Sequence, residues 1–118
     1  VPDVRPYLAH AACAIAPLRV ARGVQNKVLE AMAMACPVVV TRQAAEGIRA
    51  EAGRDFLLAQ DESAFARAVV AQFQAPTRAG HARDCILQNY DWARNLNAIN
   101  PLFDLTQALP RALETCPA

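Results

Sequence analysis

The stretch Arg22–Thr41, RGVQNKVLEAMAMACPVVVT, constrains the fold more than any other: a polar loop with one glycine, a helix-forming run, a proline and three consecutive valines. Val28, Met32 and Ala35 fall at i, i+4 and i+7, which predicts a short helix over Lys27–Ala35 with Asn26 as its N-cap. Pro37 ends that helix, and Val38–Val40 has the all-apolar character of a parallel strand covered on both faces. Loop, helix and strand in this order make half of a βαβ unit. The helix would open with unpaired N–H groups and the positive end of its dipole, facing a loop in which Gly23 permits close backbone approach. A phosphate is the guest that suits such a corner.

The flanking sequence extends this unit on both sides. Val4, Tyr7, Leu8 and Ala11 have helical spacing behind Pro2 and Asp3, in capping positions, and Ala12–Ala16, stopped by Pro17, reads as a first parallel strand. Pro17–Gln25 therefore follows the carboxyl end of a strand, where open α/β sheets hold their ligands. After Thr41, RQAAEGI reads as a short turn or helix closed by Gly47, and Asp55–Ala59 as a third strand. Asp61 is an N-cap for Glu62–Gln74, with Phe65, Val69 and Phe73 on one face. Thr77 is placed to cap a helix reaching about Asn89, weakened by Gly80. Asp91 caps a further helix carrying Trp92, Leu96, Ile99 and Phe103, which Asn100-Pro101 is expected to split, the second piece running from Pro101 to about Leu109. Residues 110–118 form a tail.

The fold class predicted is thus α/β: a partial Rossmann-like domain of about three parallel strands with flanking helices and C-terminal helices. Three strands make a small sheet, and the start at Val1 is abrupt, so the chain reads as the back half of a larger domain. With 118 residues, 54% hydrophobic and 19% charged, there is enough apolar surface for a globular core. The net charge of +1 gives no general attraction to nucleic acid, so anion binding has to be local, and Arg19, Arg22 and Lys27 gather near the loop. No apolar run reaches membrane-span length and no signal-peptide layout is seen, so a soluble intracellular protein is the default.

Cys13, Cys36, Cys85 and Cys116 are widely spaced and suggest neither a zinc site nor a redox pair, and no metal site is expected. His10 and His81 lack companions at ligand spacing and read as solvated or structural. Trp92 and Phe103 fit a packing stripe better than a base-stacking surface. Arg19 could help hold phosphate or lie free on the surface, and Glu46-Gly47 is a turn on the same sheet edge. Glu30 matters most. One turn after Asn26 and three residues after Lys27, its carboxylate could accept two ribose hydroxyls while Lys27 and the N–H groups hold a diphosphate. The alternative is a plain i, i+3 ion pair with Lys27.

The stretch PLRVARGVQNKVLEAMAMACPVVVT resembles the nucleotide-sugar-binding segment of the retaining GT-B glycosyltransferases, a large bacterial family of sugar transferases. Its helix L-E-A-M-A leading into P-V-V matches closely over Pro17–Thr41. The resemblance implies that Glu30 grips the nucleotide ribose, that Gly23, Val24 and Gln25 run beside the donor sugar, and that Asn26 and Lys27 face the diphosphate. Two positions depart from the pattern. Arg22 stands where the family has its first glutamate, and a guanidinium cannot accept hydroxyl hydrogen bonds as a carboxylate does, though it could contact phosphate. Ala35 stands where a helix-ending glycine is usual. The wording ARGVQNKVLEAMAM also resembles a subgroup of exopolysaccharide sugar transferases found with exosortase systems.

On this resemblance residues 1–118 are the C-terminal part of a nucleotide-sugar-binding domain, with residues of about 90–109 as the terminal crossover helices that pack on a missing N-terminal domain. The partners implied are a nucleoside-diphosphate sugar and a glycan or lipid-linked acceptor, in exopolysaccharide or cell-envelope biosynthesis. No separate cofactor is implied, and the place is the cytoplasm, including the inner face of the membrane. The fragment alone should not catalyse. The competing expectation is a non-catalytic α/β interaction module that docks a partner, or its own twin as a homo-oligomer, through the Trp92–Phe103 stripe.

Overall fold

A computed structural model describes residues 1–104, with the backbone alone for residues 100 and 102–104. The chain divides into two compact units, Val1–Leu87 and Gln88–Ala118. The first is a parallel three-stranded sheet with helices packed on it, and its strands are β1 (Ala14–Ala16), β2 (Val38–Thr41) and β3 (Leu57–Ala59) in the order β1-β2-β3. Ala14 pairs with Val38 and Val39 with Leu57, so all three strands run together and their carboxyl ends lie along one edge. The partial Rossmann-like α/β layout read from the sequence is the observed one.

Helix α1 (Arg5–His10) precedes β1, α2 (Asn26–Ala33) links β1 to β2, and α3 (Arg42–Ala45) links β2 to β3. Asp3 accepts the Arg5 N–H at 3.0 Å and holds its guanidinium, tying down the turn before α1. β2 has the double cover expected of it: Val38, Val39 and Val40 are at most 1% exposed. Strand alternation separates them. Val38 and Val40 join Val28, Ala31 and Met32 of α2 in the main core, whereas Val39 faces the side on which α4 (Glu62–Gln74) packs against β2 and β3. Beside Val39 in register, Ile15 of the outer strand β1 is 55% exposed. On that face the cover does not reach β1.

Several boundaries differ from those expected, each for a local reason. Gln25, not Asn26, is the N-cap of α2, with its carbonyl accepting the Val28 N–H and no side chain closing the cap. Ala35 does not extend the buried stripe of α2, because the helix has already ended and Ala35 takes φ 53°. The N–H of Cys36 bonds the Ala31 carbonyl and that of Ala35 the Met32 carbonyl, the paired bonds of a Schellman ending, which places Ala35 at the left-handed position where glycine is usual. Ala35→Gly should therefore stabilise the chain by about 0.5–1 kcal/mol, since a Cβ strains this conformation. Urea unfolding with a raised midpoint and an unchanged slope would record it.

The segment after α4 serves this same helix end. Thr77 caps nothing: its hydroxyl donates to Gln72 at 3.4 Å, and α5 (Gly80–Asn89) starts later than expected. The reason is that residues 78 and 79 are engaged elsewhere. Arg78 donates to the Met34 carbonyl at 2.6 Å, the Ala79 N–H to that of Ala35 at 2.9 Å, and Arg83 to that of Ala33. Every carbonyl from Glu30 to Ala35 thus has a donor. β3 begins at Leu57 rather than Asp55, because Asp55 closes a turn: its N–H bonds the Glu51 carbonyl and its buried carboxylate accepts the Glu51 N–H, both at 2.8 Å. Asp61 caps α4 as read, accepting the Ala64 N–H at 2.7 Å, but Phe73 is 67% exposed and only Phe65 and Val69 are half-buried on its apolar face.

In the second unit Asp91 accepts the Arg94 N–H, and α6 (Trp92–Asp104) runs through Pro101 as one helix rather than two. A proline removes one ladder bond without preventing its neighbours from keeping helical dihedrals. Trp92 is 79% and Leu96 52% exposed on this helix. The side chain of Phe103, residues 105–109 of the expected second helix, the 110–118 tail and Cys116 lie outside the described residues. No helix among the described residues is long and apolar enough to cross a membrane.

Candidate functional site

The loop between β1 and α2 and the first turn of α2 bring most of the expected residues together. Gly23 takes φ 69°, the left-handed conformation for which a glycine is suited, and the Gln25 amide folds back to its carbonyl at 3.4 Å. Val24 lies against the turn after α3, where a Cβ on Gly47 would meet its Cγ2 at 3.5 Å. The Glu46-Gly47 turn is thus beside the loop, on the sheet edge expected of it. No backbone or side-chain acceptor among the described residues takes the N–H groups of Asn26 and Lys27. They are free donors at the positive end of the helix.

Lys27 and Glu30 line one cleft of about 280 Å³ together with Leu8 of α1, Val4 at its N-cap and all of β1. The i, i+3 ion pair that their spacing allows is not formed. Both are exposed, and among the described residues neither side chain has a hydrogen-bond or ion-pair partner; the same holds for Arg22 and Asn26. A lysine and a carboxylate held side by side without neutralising one another, next to free N–H donors, can take an anion and a hydroxyl-bearing ring from one ligand.

Arg19 is placed elsewhere. It lines a second, larger cleft of about 530 Å³ at the carboxyl ends of all three strands, formed by Pro17–Arg19, Thr41–Gln43 and Ala59–Glu62 with Phe65 and Ala66 of α4. There its guanidinium pairs with Glu62 at 3.0 Å, both groups about nine-tenths exposed. Thr41 joins the walls. Its hydroxyl donates to the Leu18 carbonyl at 2.6 Å and accepts the Ala44 N–H at 3.3 Å, so one side chain fixes the loop after β1 and caps α3. Sequence reading passed over Thr41, Arg42, Gln43 and Gln60; a threonine ending a valine strand ahead of a helical run was the available signal.

The remaining candidates stand apart. His10 Nδ1 lies 2.8 Å from the Pro6 carbonyl and His81 is at the start of α5, and no group of three metal-ligating side chains occurs among the described residues. Burial pushes the thiols of Cys13 and Cys36 above their ordinary pKa, and Cys85 donates to the Arg49 carbonyl at 3.2 Å. Cys13 and Cys36 are thus protonated packing groups at neutral pH.

The family model described as "Glycosyl transferases group 1" matches residues 1–74, which span α1 through α4 and both clefts. The chain belongs to the group 1 glycosyltransferases. No curated protein and no solved structure matches it. Membership gives this glycosyltransferase chain a role in sugar transfer, with a nucleotide-sugar donor and an acceptor as the partners in general terms.

Proposed function

We propose that the chain is the donor-binding part of a retaining GT-B hexosyltransferase, taking a nucleoside-diphosphate sugar and serving transfer to a glycan or lipid-linked acceptor in exopolysaccharide or cell-envelope synthesis. The observation that carries the reading is the cleft in which unpartnered Lys27 and Glu30 meet beside the open start of α2. Glu30 accepts the ribose hydroxyls, while the Asn26 and Lys27 N–H groups and the Lys27 ammonium hold the diphosphate. Gly23, Val24 and Gln25 run beside the sugar. Arg22, which replaces a sugar-binding carboxylate, turns to phosphate, and Arg19 serves only by shaping the loop from its pair with Glu62.

On this reading the described residues supply the donor-binding side and not the reacting centre, so the chain binds donor without turning it over. Calorimetric titration with UDP and GDP tests it. Glu30→Ala should weaken nucleotide binding about tenfold, the loss of two charge-assisted hydrogen bonds to water-exposed hydroxyls. Unchanged affinity would take Glu30 out of the site. The exposed Trp92 and Leu96 of α6 favour a second reading, an interaction module docking through its last helices. That module has no need of nucleotide, so the same titration separates the two.

A further inference from the structure

The larger cleft is not used by the donor reading, and its chemistry differs from that of the α2 corner. Two arginines and two acids line it, so it carries no net charge; Arg19 and Glu62 are spent on one another and Asp61 on the α4 cap. What remains at its rim is planar and polar. Arg42, Gln43 and Gln60 are exposed there, and among the described residues none has a side-chain partner. The floor is apolar, with half-buried Leu18 and the Phe65 ring. Three unpartnered planar side chains over an aromatic floor, at the strand ends where open α/β sheets hold ligands, make a binding site by ordinary criteria.

We infer that this cleft binds a glycosyl unit of the acceptor glycan, separate from the donor site. Guanidinium and amide groups can each donate to, or bracket, vicinal ring hydroxyls, and the hydroxyl-poor face of a pyranose packs on Phe65 and Leu18. A nucleotide diphosphate is disfavoured by the balanced charge. The cleft volume of about 530 Å³ lies in the range of small-ligand sites. Taking a sugar as the occupant rests on the sugar-transfer reading, and the site gives the acceptor a hold on the same sheet that carries the α2 corner.

The test is an amide-shift titration of the isotopically labelled chain with methyl glycosides of glucose and of mannose, and separately with UDP. At least one glycoside should move the amides of Thr41–Gln43 and Gln60–Ala66, while UDP moves those of Gln25–Glu30. Arg42→Ala and Gln60→Ala replace exposed side chains without partners, so both should fold, weaken the glycoside about fivefold to tenfold and leave the UDP response intact. No glycoside shift at those amides, or shifts unaltered in both variants, overturns the inference. Glycoside binding without a UDP response would overturn the donor site and leave this one standing.

Discussion

Met32→Ala is expected to cost about 3 kcal/mol, the largest loss of any single truncation considered, and to appear as a lowered urea midpoint with an unchanged slope. Met32 is fully buried in the core that α2 shares with Val38 and Val40, and it is the largest of the fully buried side chains. Removing three heavy atoms there forfeits their transfer energy and leaves a cavity that a short helix on a three-stranded sheet can close only in part. Met32→Leu conserves volume and should cost less than about 1.5 kcal/mol. The functional consequence is indirect. Because Met32 seats the helix whose first two turns carry Lys27 and Glu30, the alanine variant should also blur nucleotide binding, which the leucine variant should keep.

The second large effect is expected at Thr41. Thr41→Val keeps shape and β-branching but strips the hydroxyl that serves Leu18 and Ala44, leaving a carbonyl and an N–H without their partner. A part-buried pair of this kind, one bond of which is a helix cap, should cost about 2 kcal/mol, whereas Thr41→Ser should recover most of it. The two variants separate hydroxyl from methyl. Thr41→Val should also raise amide exchange in the Pro17–Arg19 loop, because Thr41 is what ties that loop to β2; equal exchange in both variants would show the loop to be held by packing alone.

How far the sequence could be read followed from how local each determinant is. Val38–Val40 announces a buried parallel strand without reference to anything else, and the loop, helix and strand around it follow in order, so the sheet and the α2 corner were legible. Ala35 was not. Its left-handed backbone is imposed by the paired bonds of the helix ending, and an alanine gives no sign of it beyond standing where a glycine is usual. Thr77 misled for the opposite reason: it is a good capping residue, but Arg78 and Ala79 are drawn to α2, more than forty positions back, and capping propensity knows nothing of that. Of the larger cleft only the Pro17–Arg19 edge is legible, as the loop at a strand's carboxyl end, since Leu18, Arg42, Gln60 and Phe65 meet only once three strand ends are aligned.

The clasp of Arg78, Ala79 and Arg83 on the end of α2 reaches further than the anchoring of a helix. An eight-residue helix is only about 12 Å long, so its two poles would act on one ligand with opposite sign. Two guanidiniums at the carbonyl pole quench the repulsion that pole would exert on an anion at the other, while the amide pole stays bare. For an anion at the amide end the helix would work as a one-ended magnet, with two cations at its carbonyl end setting part of its strength.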